Sequence, residues 1–162
     1  MSAHQHSYRV TVAWTGNRGE GTASYRAYDR TNEVRADGPP MILGSADPTF
    51  RGDRQRWNPE QLLLAALSQC HLLSYLHVAV NAGVVVVAYE DDAAGTMVTD
   101  NAGAGRFTEV VLRPRVEVAE ASMVERATAL HERAHELCFI ANSVAFPVRH
   151  EPATSAGTSA RA

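Results

Sequence analysis

Cysteine is scarce in this chain, with two among 162 residues. Two thiols cannot make a disulfide framework, and in a reducing compartment such a pair is either inert or works by cycling between dithiol and disulfide. Aromatic residues are also few, at 7%, and no basic stripe interleaves with them; 15 basic against 18 acidic residues leave a net charge of -3. That balance argues against nucleic acid as a partner. No uninterrupted apolar run reads as long enough to span a bilayer, so no membrane partner is expected. The opening "MSAHQHSYRV" lacks the basic start and apolar block of a secretory leader, which makes the cytoplasm the expected compartment. GxSxG, Walker-type and GxGxxG motifs are missing too, which removes common signatures of hydrolases and nucleotide enzymes.

What is present is the composition of a globular protein, 45% hydrophobic and 20% charged, in a length that suits one domain. That domain is expected over residues 1–150, with "EPATSAGTSARA", residues 151–162, small, polar and without order. The segment "SYRVTVAWTG" alternates Tyr8, Val10, Val12 and Trp14 against polar or small neighbours, the period-2 pattern of a half-buried strand. "GTASYRAYDR" restarts an extended pattern, so residues 8–28 read as a hairpin across "TGNRGEG". Met41–Leu43 suggests a third short strand. Beyond Gly83, "VVVVAYEDD", "AGTMVTDNAGAG", one long strand in "RFTEVVLRPRVEVA" and a last strand in "SVAFPVRH" fit antiparallel pairing. The class is therefore α+β.

Two helices are expected among these strands. Asn58 can cap the first, Pro59 suits its first turn, Gln61 stands where a capping box needs it, and Gly83 ends it. Its residues are apolar on nearly every face, so strands from several directions or a partner subunit must cover it. Ser122 and Glu125 form an S-x-x-E box before a second helix, whose face is Val124, Leu130, Ala134 and Leu137.

Cys70 lies in the middle of the first helix, where leucine neighbours favour an inert thiol. To act as a nucleophile it needs a cation from another segment, and Arg18, Arg26, Arg51, Arg54 and Arg56 all lie in preceding turns or strands. Cys138 falls near the end of the second helix, where the dipole disfavours a thiolate. If the pair works together, Cys70 attacks and Cys138 resolves. His131, His135 and Cys138 share a helix face in the manner of metal ligands, with Cys70 or His71 as a fourth. The plainer reading is a solvated face plus one buried thiol, with His71 and His77 as polar edges. Glu60 complements the helix dipole.

"NPEQLLLAALSQCHLLSYL" resembles the central helix of the OsmC/Ohr family, the osmotically inducible and organic hydroperoxide resistance proteins, in which N-P-E-x-L precedes a reactive cysteine. Glu60 and Cys70 match that spacing. "AHELCFIANSVAFPV" resembles the family's second cysteine motif, and element order agrees across residues 7–150. The resemblance implies an OsmC-like fold in which antiparallel sheets wrap long central helices in an intertwined homodimer. It further implies a thiol peroxidase without a cofactor: Cys70 attacks an organic hydroperoxide, Cys138 closes a disulfide on the resulting sulfenic acid, and an external dithiol, small or of lipoyl or thioredoxin type, resets the pair.

In the family an arginine and a glutamate hold the attacking thiolate. Glu60 is the matching glutamate; the OsmC branch favours Arg51 and the Ohr branch Arg18. "CFIANS" departs from the Pro and Ser that many members carry after the second cysteine. Ten residues along a helix separate Glu60 from Cys70 by about 15 Å, so either the helix breaks or Glu60 acts across a dimer. Leu63, Leu67, Leu73 and Phe139 are expected as an apolar wall favouring organic peroxides. The rival from another class is a non-catalytic stress or binding protein that uses the same fold for a small apolar ligand.

Overall fold

The computed structural model describes residues 5–157, in two compact units, one ending at Leu62 and the other beginning at Leu63. In the first unit, β1 (Thr11–Trp14), β2 (Asn32–Arg35) and β3 (Ile42–Gly44) form an antiparallel sheet in that order. Val12 faces Val34, and Val34 faces Ile42. The strand expected at "GTASYRAYDR" is absent. Its residues are drawn into a compact loop because the Arg30 guanidinium lies 4.2 Å from the Tyr25 ring centre and 4.1 Å from that of Tyr28, a pair of cation–π contacts that an extended strand would pull apart. Asn17 Oδ1 accepts from the N–H of Gly19 at 2.8 Å and of Gly21 at 3.0 Å, closing the first turn of that loop as an Asx motif. The true partner of β1 is β2, which has only four residues and little alternation to signal it.

Helix α1 (Pro59–Asn81) starts as expected. Asn58 Oδ1 accepts from Gln61 N at 2.8 Å and Gln61 Oε1 accepts from Asn58 N at 3.2 Å, a reciprocal capping box. Gly83, at φ 70°, ends it, with Val84 N donating to Ala79 O at 2.9 Å; the left-handed residue and the long return bond make a Schellman stop. Contrary to expectation, α1 is long and apolar enough to cross a membrane by length and composition. Here one side of it, Leu67, His71, Tyr75, Val78 and Ala79, is buried in the second unit, whereas Leu73 is 61% exposed and Val80 70%.

The second unit holds β4 (Val86–Asp91), β5 (Ala94–Thr99), β6 (Gly105–Leu112), β7 (Pro114–Val118), α2 (Val124–Leu137), β8 (Val148–His150) and β9 (Ala153–Ala156). One sheet runs β4-β7-β9 and the other β5-β6-β8. β4–β7 and β5–β6 are antiparallel as expected, but β6–β8 and β7–β9 are parallel. The long strand expected over "RFTEVVLRPRVEVA" is two strands in different sheets. They part at Arg113, whose N–H donates to Asp91 Oδ1 at 2.6 Å instead of to a ladder, and Pro114 has no N–H to continue one.

Residues expected as an unordered tail include β9, whose Thr154 and Ala156 turn inward beside Val116 and Val118; alternation of small residues suffices for an edge strand that needs to cover one sheet side. Residues 158–162 of that expectation lie outside the described residues. The Ser122–Glu125 box does not form: a 3-10 turn (Ala121–Met123) intervenes, and Ser122 Oγ donates to Glu120 Oε2 at 3.3 Å.

Burial joins these elements in two clusters. Tyr75, Val78, Ala79, Val84, Val116, Val118, Ala127 and Ala134 unite α1, α2 and β7. Leu67 with Val110 and Leu112 unites α1 and β6, flanked by Phe107 and Phe146. Leu67 is fully buried, so Leu67→Ala is expected to lower unfolding stability by about 2–5 kcal/mol; a urea midpoint unchanged from the parent would show that this cluster is not closely packed.

Candidate active site

Cys70 sits on α1 three residues after Leu67, so its half-buried side chain borders the buried face instead of occupying it. Cys138 is the residue that caps α2, extended at φ -73° and ψ 105°, and is 1% exposed. Folding brings the two together. Ile140 N donates to Cys70 Sγ at 3.5 Å, and the neighbouring Cys70 thiol is one of the groups that raise the Cys138 thiol. Both cysteines are free. Burial pushes the Cys138 thiol up to about 11, against the N–H groups of Ala141 and Ile140, which pull it down. Those two N–H groups open the 3-10 turn (Ala141–Ser143) that follows Cys138, so the sulfur faces the donor end of the next turn as well as the acceptor end of α2.

The other expected site residues lie in the first unit. Arg18 is engaged in its own loop: Nε donates to Ala27 O at 3.2 Å, Nη2 donates to Arg26 O, and Asp29 Oδ1 stands 3.8 Å away. Arg51 adopts φ 64° at the end of the 3-10 turn (Pro48–Phe50), and its guanidinium lies 5.9 Å from the Tyr25 ring centre. Glu60 is the second residue of α1, with Oε2 buried and unpartnered. Because α1 is continuous from Pro59 to Asn81, the broken-helix route from Glu60 to Cys70 of one chain is closed. The expected apolar wall is divided: Leu67 is fully buried and Leu63 packs beside it, while Leu73 is 61% and Phe139 76% exposed.

Sequence reading missed the surroundings of the thiols. Two residues before Cys70, Ser68 Oγ donates to Asp91 Oδ2 at 2.5 Å, tying α1 to the end of β4. On the other side, His71 and His131 are 0% and 1% exposed, where polar edges and a solvated face were expected. His71 Nε2 and His131 Nδ1 are 3.0 Å apart, and the rings are nearly coplanar at 10°. Tyr75 stacks on His131 at 4.1 Å and donates its hydroxyl to Ala127 O at 3.0 Å. A signal existed: Leu67, His71, Tyr75 and Val78 recur at helical spacing on α1, as Ala127, His131 and Ala134 do on α2. The expected zinc set of His131, His135 and Cys138 does not form a metal-holding group, and among the described residues no three His, Cys, Asp or Glu side chains do.

The arrangement can do thiol chemistry: a reachable sulfur stands beside a buried one, and backbone donors point at both. The family profile described as "OsmC-like protein" matches residues 52–152. An OsmC-like protein of unknown function from Vibrio cholerae superposes with a TM-score of 0.82 at 32% identity, covering 92% of this chain and 100% of that one. The organic hydroperoxide resistance protein of Elizabethkingia anophelis reaches 0.65 at 18% identity over 95% and 100% of the two chains. OhrB of Bacillus subtilis, also an organic hydroperoxide resistance protein, reaches 0.61 at 18% over 93% and 98%. No curated protein matches the sequence.

Burial lowers His71 to about 4 and His131 to about 3 from an ordinary 6.5. Unfolding returns both to the ordinary value, so between that value and the folded ones the unfolded chain binds more protons. Their contribution to stability is whole above pH 6.5 and is lost as pH falls toward about 4. The urea midpoint is expected to drop from pH 7.5 to pH 5, and less so for His131→Asn; equal drops in the two proteins would assign the acid sensitivity elsewhere.

Proposed function

Because this chain belongs to the OsmC family of OsmC-like proteins, we propose that it is a cysteine-based peroxidase that reduces organic hydroperoxides. The observation that carries this reading is the meeting of two free thiols from separate elements, Cys70 on α1 and Cys138 at the end of α2. Relatives of the same fold that are organic hydroperoxide resistance proteins support the substrate class.

In this mechanism the Cys70 thiolate attacks the terminal oxygen of ROOH, the O–O bond breaks, and the alkoxide takes a proton to leave as ROH. Cys70 is left as a sulfenic acid. The Cys138 thiol then attacks the Cys70 sulfur; its proton and the departing hydroxide combine as water, and a Cys70–Cys138 disulfide forms. An external dithiol returns both thiols and becomes a disulfide itself. Cys138 can remain protonated until its turn because burial keeps its thiol weakly acidic. Cys70, half-buried and on the rim of the core, is the sulfur a substrate can reach.

Arg51 is the arginine assigned to the Cys70 thiolate. Arg18 has its guanidinium committed to two carbonyls and Asp29, whereas Arg51 lies against the Tyr25 ring and pairs with no carboxylate among the described residues. Glu60 orients that arginine from a second copy of the chain. Two features support the dimer. Leu73, Leu76 and Val80 leave an apolar stripe along the outer side of α1, the kind of surface that marks a protein interface; and an unbroken α1 keeps the Glu60 and Cys70 of one chain about 15 Å apart along its axis.

Two measurements test the reading. With dihydrolipoamide as reductant, the protein is expected to consume cumene hydroperoxide faster than hydrogen peroxide, and Cys70→Ser to fall to the rate of dithiol alone; an unaffected Cys70→Ser protein would leave a non-catalytic binding role. Glu60→Gln and Cys70→Ser, each inactive alone, are expected to regain activity when co-expressed as mixed dimers, since one site then holds both native residues. If every mixture stays inactive while mixed dimers form, Glu60 does not act across the subunits.

A further inference from the structure

The buried pair His71–His131 stands between the same two elements as the thiols. His71 follows Cys70 on α1, and His131 lies seven residues, about 10 Å of helix, before Cys138 on α2. Nothing interrupts α2 between them, and Cys138 N closes the last turn on His135 O at 3.1 Å. A shift of α2 at His131 is therefore carried to Cys138 by a rigid rod.

The groups facing the pair come from four elements. Tyr75 of α1 stacks on His131, and Tyr89 of β4 packs on Tyr75 with ring centres 5.8 Å apart. His150 of β8 lies 5.6 Å from His71 and 6.1 Å from His131, and His135 of α2 lies 5.5 Å from His150. The one carboxylate in the cluster, Glu132 Oε1, is 3.4 Å from His150 Nε2 and bonds neither His71 nor His131. Among the described residues His71 Nδ1 and His131 Nε2 have no hydrogen-bond partner. In the neutral pair one ring donates to the other. A first added proton creates a buried charge with no carboxylate on either ring; a second places N–H against N–H and removes the bond.

We propose that His71 and His131 are positioning residues for the thiol pair: their hydrogen bond pins α2 to α1 so that Cys138 stays within reach of Cys70, and acid releases the pin. The proposal rests on the Cys70–Cys138 pairing above. Opening the contact lets each ring take a proton at its ordinary value, so acidification favours the open form, and disulfide closure weakens with it. The burial that depresses both rings works in the same direction.

The test is the equilibrium between the Cys70–Cys138 dithiol and its disulfide in a glutathione buffer, in which one GSSG becomes two GSH for each protein disulfide formed. It is read by thiol trapping and mass from pH 7.5 to pH 4. This exchange needs the two thiols alone, so it is independent of whether the protein consumes hydroperoxides, and a failure of the peroxidase assay leaves it intact. Once opening is populated, the disulfide-to-dithiol ratio of the parent protein is expected to fall by about tenfold per pH unit for each histidine that charges. His71→Gln with His131→Asn places amide groups where Nε2 and Nδ1 meet, keeping the bond without its titration. That variant is expected to match the parent at pH 7.5 and to hold its ratio in acid. A parent ratio that stays constant while circular dichroism remains native overturns the proposal, as does an equal fall in the double variant. Should the variant fail to fold, nitrogen-15 shifts of the parent's histidine rings decide: protonation of His71 and His131 together with the fall supports the pin, and neutral rings throughout the fall overturn it.

Discussion

Helix α1 carries apolar side chains all the way round its axis, and the rest of the second unit is arranged to meet that constraint. An amphipathic helix needs one sheet, but a helix without a polar face must be enclosed from several sides or leave apolar surface in water. Here α2 and β7 close over Tyr75, Val78 and Ala79, while β6 closes over Leu67. The outward stripe of Leu73, Leu76 and Val80 stays uncovered, which is why a second copy enters the functional reading so readily. The same packing leaves Cys138, at the end of α2, beside Cys70 in the middle of α1.

The thiol site is built by a division of labour between backbone and side chain. Both sulfurs meet backbone N–H groups of the turn after α2. Fixed donors of this kind stabilise a developing anion without waiting for a flexible group to arrive. The asymmetry between the two sulfurs is then one of access: one is on the rim, the other sealed. A sealed thiol kept weakly acidic is slow to react with solutes.

What was legible in the sequence was what depends on neighbours within a turn or two. The Asn58–Gln61 box and the Gly83 stop follow from local chemistry and stand in the fold as read; β1 is a strand as read, but the alternating face expected to be half-buried, Val12 and Trp14 included, is exposed. Glu60 and Cys70 were singled out by the family motif, and the fold brings the second of them beside Cys138. The misreadings are non-local. Tyr25 and Tyr28 looked like strand residues until Arg30 came between them. Arg113 looked like the middle of a strand because its corner partner, Asp91, is distant in sequence. Small residues at Ala153–Ala156 carried no strand signal, since the strand exists to complete a sheet made by others. His71 and His131 looked polar and exposed because each becomes tolerable in the core when the other supplies its hydrogen bond.

Asp91 has a consequence of a different kind. One of its oxygens accepts from Ser68 on α1, and the other from the N–H of Arg113 where β6 gives way to β7. Apolar packing has little direction, so a greasy rod in a greasy channel can slide or roll by small steps at little cost. A carboxylate that grips the rod on one side and the joint between two strands on the other acts as an index mark, setting the axial and rotational zero of the helix. The cysteine two residues further on inherits that zero, so the placement of the Cys70 sulfur is referred to the sheets by a carboxylate anchor instead of by the fit of the core.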